Sequence, residues 1–221
     1  MTWNVLGGGV ALPSINAGAD SSRDATLSQR GEQLVIPWFQ QYVHSGRVYV
    51  AANATVNTAV ALAGTSYVQT TPAFLLDVPA GTTAVPLHIR LRQGGTVAGG
   101  VITVLLTCDV VNRYSSGGTV ITPRNMKIGP SAAAQRVAVC SFYTGPTAAN
   151  LNTAIELAGT ILTHDVATTP NSYQNVFEWS PLNGGEPAPE LVGPASLLVH
   201  SFAATTAPSW FFSFKWIELD S

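Results

Sequence analysis

The last thirteen residues constrain this chain most. In Ser209-Trp-Phe-Phe-Ser-Phe-Lys-Trp-Ile-Glu-Leu219, a period of two puts Trp210, Phe212, Phe214 and Trp216 on one face. Phe211, Ser213, Lys215 and Ile217 fall on the other. Each ring hides about 150–250 Å² when buried. Four on one side therefore demand a facing layer, which for a strand means a second sheet. Phe211 and Ile217 are costly to leave in water, so the opposite face is expected either to meet a partner or to lie under a second layer of the same domain, such as the 181–195 loop.

The rest of the chain repeats the strand signature. Arg47–Val50 and Thr55–Leu62 are rich in β-branched residues. Ala84–Arg92 alternates, with Val85, Leu87, Ile89 and Leu91 against Pro86, His88, Arg90 and Arg92. Pro86 suggests an edge strand or a strand entry. Val101–Val110 is apolar on both sides at its centre and reads as mid-sheet. In Arg136–Tyr143, Val137 and Val139 oppose Ala138, Cys140 and Phe142. Gly- and Pro-rich turns separate the runs, including Pro79-Ala-Gly81, Gly94-Gly95, Ser115-Ser-Gly-Gly118 and the stretch 181–189. Only 148–163, with Leu151, Ile155, Leu157 and Leu162, offers room for a short helix. The fold class expected is all-β, an antiparallel β-sandwich of jelly-roll type over 34–221. Residues 1–33 lack periodicity and read as an extended N-terminal arm. Trp3, Val5 and Leu6 suit docking on a neighbour, the alternative being a frayed terminus.

Charge narrows the function. Of 221 residues only 10% are charged, giving a net charge of −2, against about 25% in an average domain. A monomer of this mass exposes on the order of 9,700 Å², so the 22 charged side chains spread to about one per 440 Å². Uncharged polar residues, partner-covered surface, or both must make up the difference. With no basic excess, direct nucleic-acid binding is not expected. The stretch 48–76 is uncharged, but Asn53, Thr55, Asn57, Thr58, Thr65, Ser66 and Gln69 interrupt it too often for a membrane span. The first residues carry no cationic and apolar signal pattern, so manufacture in a cytoplasm is expected.

Catalytic patterns are absent. His44, His88, His164 and His200 are scattered, and no pair has metal-ligand spacing. Neither a nucleophile elbow nor a phosphate loop occurs, and twelve acids make a hydrolase pair improbable on numbers alone. An enzyme, a cofactor and a metal are therefore not expected. Cys108 and Cys140 sit on strands that look adjacent, so a bridge is open. Without a secretory route, reduced packing thiols are favoured.

Several segments carry a resemblance: Leu76-Asp-Val-Pro-Ala-Gly-Thr-Thr-Ala-Val-Pro-Leu87, Leu191-Val-Gly-Pro-Ala-Ser-Leu-Leu-Val199, Ala203-Ala-Thr-Thr-Ala-Pro208 and the ending Lys215-Trp-Ile-Glu-Leu219. Over roughly the last two-thirds of the chain this texture of turns and strand endings resembles small jelly-roll virion proteins of tailed bacteriophages, of the capsid decoration (cement) type. The resemblance implies a homotrimer on the outer capsid surface, partnered by the major capsid protein, with Trp3, Val5, Leu6, Phe211 and Ile217 as interface residues. The arm has no counterpart in it. The alternative is a receptor- or glycan-binding jelly roll of a tail or head fibre, with Tyr173 and Trp179 stacking on sugar rings.

Overall fold

A computed structural model describes residues 5–6, 9–12, 23–26, 38–62, 64–94, 101–129, 136–151, 153–163, 176–181, 187–204 and 208–220. The chain divides into two compact units, Met1–Gln41 and Tyr42–Ser221. In the first, β1 (Val5–Leu6), β2 (Gly9–Leu12) and β3 (Arg23–Thr26) pair antiparallel in the order β1–β2–β3. The segment read as an extended arm thus holds paired strands.

Helix α1 (Trp38–His44) spans the boundary between the units. It ends where Gly46 adopts a φ of +71° and the Gly46 and Arg47 N–H groups bond back to the carbonyls of Val43 and Tyr42, a glycine C-cap. The sequence offers room for a helix at 148–163 instead. The sequence signal was Pro37 before Trp38 and Gly46 after His44, a proline-to-glycine bracket.

The larger unit is nearly all strand. It comprises β4 (Val48–Ala52), β5 (Val60–Ala61), β6 (Phe74–Val78), β7 (Thr82–Gly94), β8 (Val101–Asp109), β9 (Tyr114–Ser116), β10 (Thr119–Ile121) and β11 (Arg124–Asn125). It continues through β12 (Ser141–Thr144), β13 (Thr147–Ala148), β14 (Ile155–Thr163), β15 (Val176–Trp179), β16 (Leu191–Val192), β17 (Ala195–Ala203) and β18 (Ser209–Asp220). One sheet is ordered β10–β12–β6–β17–β8–β14, the other β11–β4–β18–β7–β15, and the pairings are antiparallel. The inner quartets are β6–β17–β8–β14 and β4–β18–β7–β15. Counting the eight in chain order gives 2-7-4-5 and 1-8-3-6, the interlocked Greek keys of a jelly roll.

Between the sheets lies one apolar core. Phe74 packs its ring 4.7 Å from Phe212 and 5.2 Å from Phe214, and Phe142 stacks between Phe212 and Trp216. Trp210, Phe212, Phe214 and Trp216 all belong to it, as their alternation requires.

Four sequence readings need correction. In 136–143 only 141–143 is strand, the opening of β12, and Val137 is 80% exposed. Residues 148–163 hold β14, because its partner β8 offers a full ladder from Cys108 to Val101. In 55–62 only Val60–Ala61 is strand; Asn57 takes a φ of 61° and turns the chain. Strand β7 lies inside its sheet, and the alternation of 84–92 reverses phase within it. His88 faces Lys215 and Pro86 faces Trp216, so Leu87 is the extra residue of a β-bulge. Beyond the bulge Ile89 and Leu91 enter the main core, while Val85 and Leu87 turn to the opposite face. Pro86 sits there because a bulge releases a backbone N–H from the ladder.

Candidate functional site

The sandwich presents two outer faces, and they differ in chemistry. On the β4–β18–β7–β15 sheet, the bulge divides the outer face in two. On one side Val48, Val85, Leu87 and Ile217 form a buried cluster covered by Tyr42, Val43, Met126, Ala188 and Leu219. Ile217, expected to meet a partner, is 1% exposed and is sheltered by its own chain. Its cover is a second layer of the same unit, to which Ala188 of the 181–195 loop contributes.

Past the bulge the same face opens. Cross-strand register places His88, Lys215, Val50 and Arg124 in one row, Glu178, Arg90, Ser213 and Ala52 in the next, and Val176, Arg92 and Phe211 in a third. Arg90, Arg92 and Arg124 are exposed and Lys215 is half-buried. Phe211 is half-buried, with the Arg92 guanidinium 4.7 Å above its ring. Gly94 makes room for that ring, since a Cβ there would stand 2.7 Å from it. Glu178 bonds His88 Nε2 at 3.0 Å, and that bond, with help from Arg90 and Lys215, holds its carboxyl below the usual range.

The outer face of the other sheet begins polar and ends apolar. Asp77, Ser196 and Asp109 stand side by side on β6, β17 and β8. Arg113, fully buried, donates from Nη1 to Asp109 at 2.6 Å and from Nε to the Ala149 carbonyl at 2.9 Å. Thr153 Oγ1 donates to the same carboxylate at 2.8 Å. Ser196 Oγ accepts the Arg113 N–H at 2.9 Å. Burial raises the Asp77 pKa, opposed by hydrogen bonds from Asn112 and Ser196. Next along, Leu75, Ala148 and Leu198 are capped by Tyr114 and Tyr143, stacked at 4.0 Å.

His200 follows on β17, 3% exposed, with its ring 5.0 Å from Tyr67 and Nε2 3.5 Å from the Gln69 carbonyl. Burial pushes its pKa down to about 4, and the Arg113 charge adds to that. The last row, Phe202, Thr103 and Ile161, reaches solvent. Ile161 is 68% exposed, Ile155 57%, Val101 50% and Tyr67 45%. Among the described residues β14 is the edge strand of this sheet, nine residues with one charged side chain, Glu156.

At the far end of β18, Glu218 is fully buried. Its carboxylate accepts N–H bonds from Val139 (2.8 Å), Cys140 (3.0 Å) and Trp216 Nε1 (3.0 Å). Burial, then Glu218, drive the Cys140 thiol far above its ordinary pKa. Asp220 is clamped by Arg47 and Arg136, whose hydrogen bonds lower its pKa to about 2. Cys108 and Cys140 are both free. Three strand intervals separate them through β12, β6, β17 and β8, roughly 14 Å, so the bridge left open by sequence is not available within one chain.

The other expected contact residues scatter. Val5 and Leu6 pair with Val10 and Gly9. Trp179 is half-buried and packs against the main core. Trp3, Tyr173 and His164 lie outside the described residues. Sequence reasoning missed the Asp109–Arg113 pair and buried Glu218, and it found the cations of β7 without seeing that Arg124 joins them. Among the described residues no three His, Cys, Asp or Glu side chains form a metal-binding group, and no helix is long and apolar enough to cross a membrane. No protein-family model matches the chain, and no curated protein matches it.

Proposed function

We propose that this protein is a structural subunit of a bacteriophage virion, a decoration protein that self-associates and clamps the outer face of the head shell. The observation that carries the reading is the jelly-roll sandwich whose edge strand β14 has, among the described residues, no strand paired on its outer side. Strand β14 and the sheet face beside it expose Ile155, Ile161, Val101 and Tyr67. Soluble monomers guard long edge strands with charge, proline or a bulge; the nine residues of β14 hold one charge, Glu156, and one bulge between Glu156 and Ala158, with Ile155 and Ile161 exposed beside them. A trimer covering this edge resolves the liability by closed symmetry. The low charge and the resemblance of the turns and strand endings to phage decoration proteins support the same reading.

Co-sedimentation with empty heads of the phage that encodes it is the direct test. The full chain is expected to pellet with the shells, and a chain lacking residues 1–20 to remain in the supernatant as an intact oligomer. Equal pelleting of both would remove the arm from the clamp. Failure of the full chain to pellet would refute the assignment.

A further inference from the structure

Ten Lys and Arg residues serve the whole chain. Four of them, Arg90, Arg92, Arg124 and Lys215, share the open half of one sheet face, with Glu178 as the only carboxylate among the described residues of its rows. Four minus one is +3 for these five residues, against −2 for the chain, so the rest of the sequence carries −2 − 3 = −5. Among the described residues, no carboxylate lies within ion-pair distance of Arg90, Arg124 or Lys215. Rows about 4.8 Å apart across the strands and about 7 Å apart along them hold these like charges together, which costs free energy until an opposite charge arrives.

We propose that this half-face, bounded by the bulge at Leu87, is a docking surface for an acidic protein surface. The inference rests on the shell-binding reading above and names the chemistry of the shell partner. Complementary charge argues for an acidic occupant. The residues between the cations argue for a protein. Phe211 under Arg92, Val50, Ala52 and Val176 give a mixed apolar and basic surface, and arginine and aromatic residues are the side chains enriched in protein interfaces.

The test uses the full chain and two probes, poly-L-glutamate and a 30-bp DNA duplex, followed by fluorescence anisotropy at 50 and 300 mM salt. Poly-L-glutamate should bind at 50 mM salt and be released at 300 mM, as screening over about 10 Å demands. The pair Arg90→Glu and Arg124→Glu should weaken binding at least tenfold while leaving the melting temperature in place. Should that pair unfold the domain, Arg90→Gln with Arg92→Gln is read instead, with a smaller loss expected. No binding by the parent chain, an unchanged affinity in the folded variants, or tighter binding to the duplex would each overturn the proposal. A monomer that binds poly-L-glutamate would fail the assembly reading alone, and an oligomer that does not bind would fail this inference alone.

Discussion

Acid should loosen this sandwich before its carboxylates titrate, through His200. Its ring is buried on β17 against Tyr67, with the Arg113 guanidinium near enough to repel a second positive charge. The folded-state pKa of about 4 lies below the ordinary value of 6.5. Between those values the unfolded chain binds a proton that the folded chain refuses, so stability is complete above pH 6.5 and is lost as pH falls toward 4. At 1.36 kcal/mol per unit, a shift of about 2.5 units gives about 3 kcal/mol in total, of which about 2.5 is lost by pH 4.5. Urea unfolding followed by the fluorescence of buried Trp210 and Trp216 reads this directly. The midpoint should drop by on the order of 1 M between pH 7 and pH 4.5. His200→Phe keeps a ring beside Tyr67 and removes the proton site, so its midpoint should fall far less. Asp77 and Asp220 titrate alike in both chains and cancel in the difference. Parallel pH profiles for the parent and H200F would refute the reasoning.

Three further outcomes are expected. Arg113→Met leaves Asp109 buried with only Thr153 as a side-chain partner, and urea titration should show a loss of about 3–5 kcal/mol; Asp109→Leu combined with R113M should recover part of it. Glu218→Ala strands the N–H groups of Val139, Cys140 and Trp216 in the core, at about 1–3 kcal/mol for each group left unpaired, so calorimetry should show a much lower melting temperature. Iodoacetamide on the native protein should leave Cys140 unmodified, and the mass should gain two adducts after unfolding; a disulfide would instead leave the unfolded, unreduced chain unlabelled.

The period of two was enough to identify the core face of β18, because four large aromatics leave no other arrangement. Apolar residues on both sides of 101–110 marked β8 as interior. Local patterning failed where a single residue changes phase. Leu87 looks like one more alternating apolar residue, and only its pairing with β18 reveals the bulge that separates a covered half-face from a basic one. Arg113 and Glu218 were illegible for a related reason. A charged residue near a turn or a strand end reads as solvated until the fold supplies a buried partner from 149, 153 or 139. The cations of β7 were visible as a wet face, but their union with Arg124 depends on β11 pairing with β4, a contact 74 residues apart in the Arg124↔Val50 register.

Multi-angle light scattering on the purified full chain tests the central claim most directly. The proposed trimer has a mass near 69 kDa, three times 23.1 kDa, and Ile155→Lys plus Ile161→Lys should shift it to a single subunit. A parent chain that elutes at 23.1 kDa across all concentrations would contradict it.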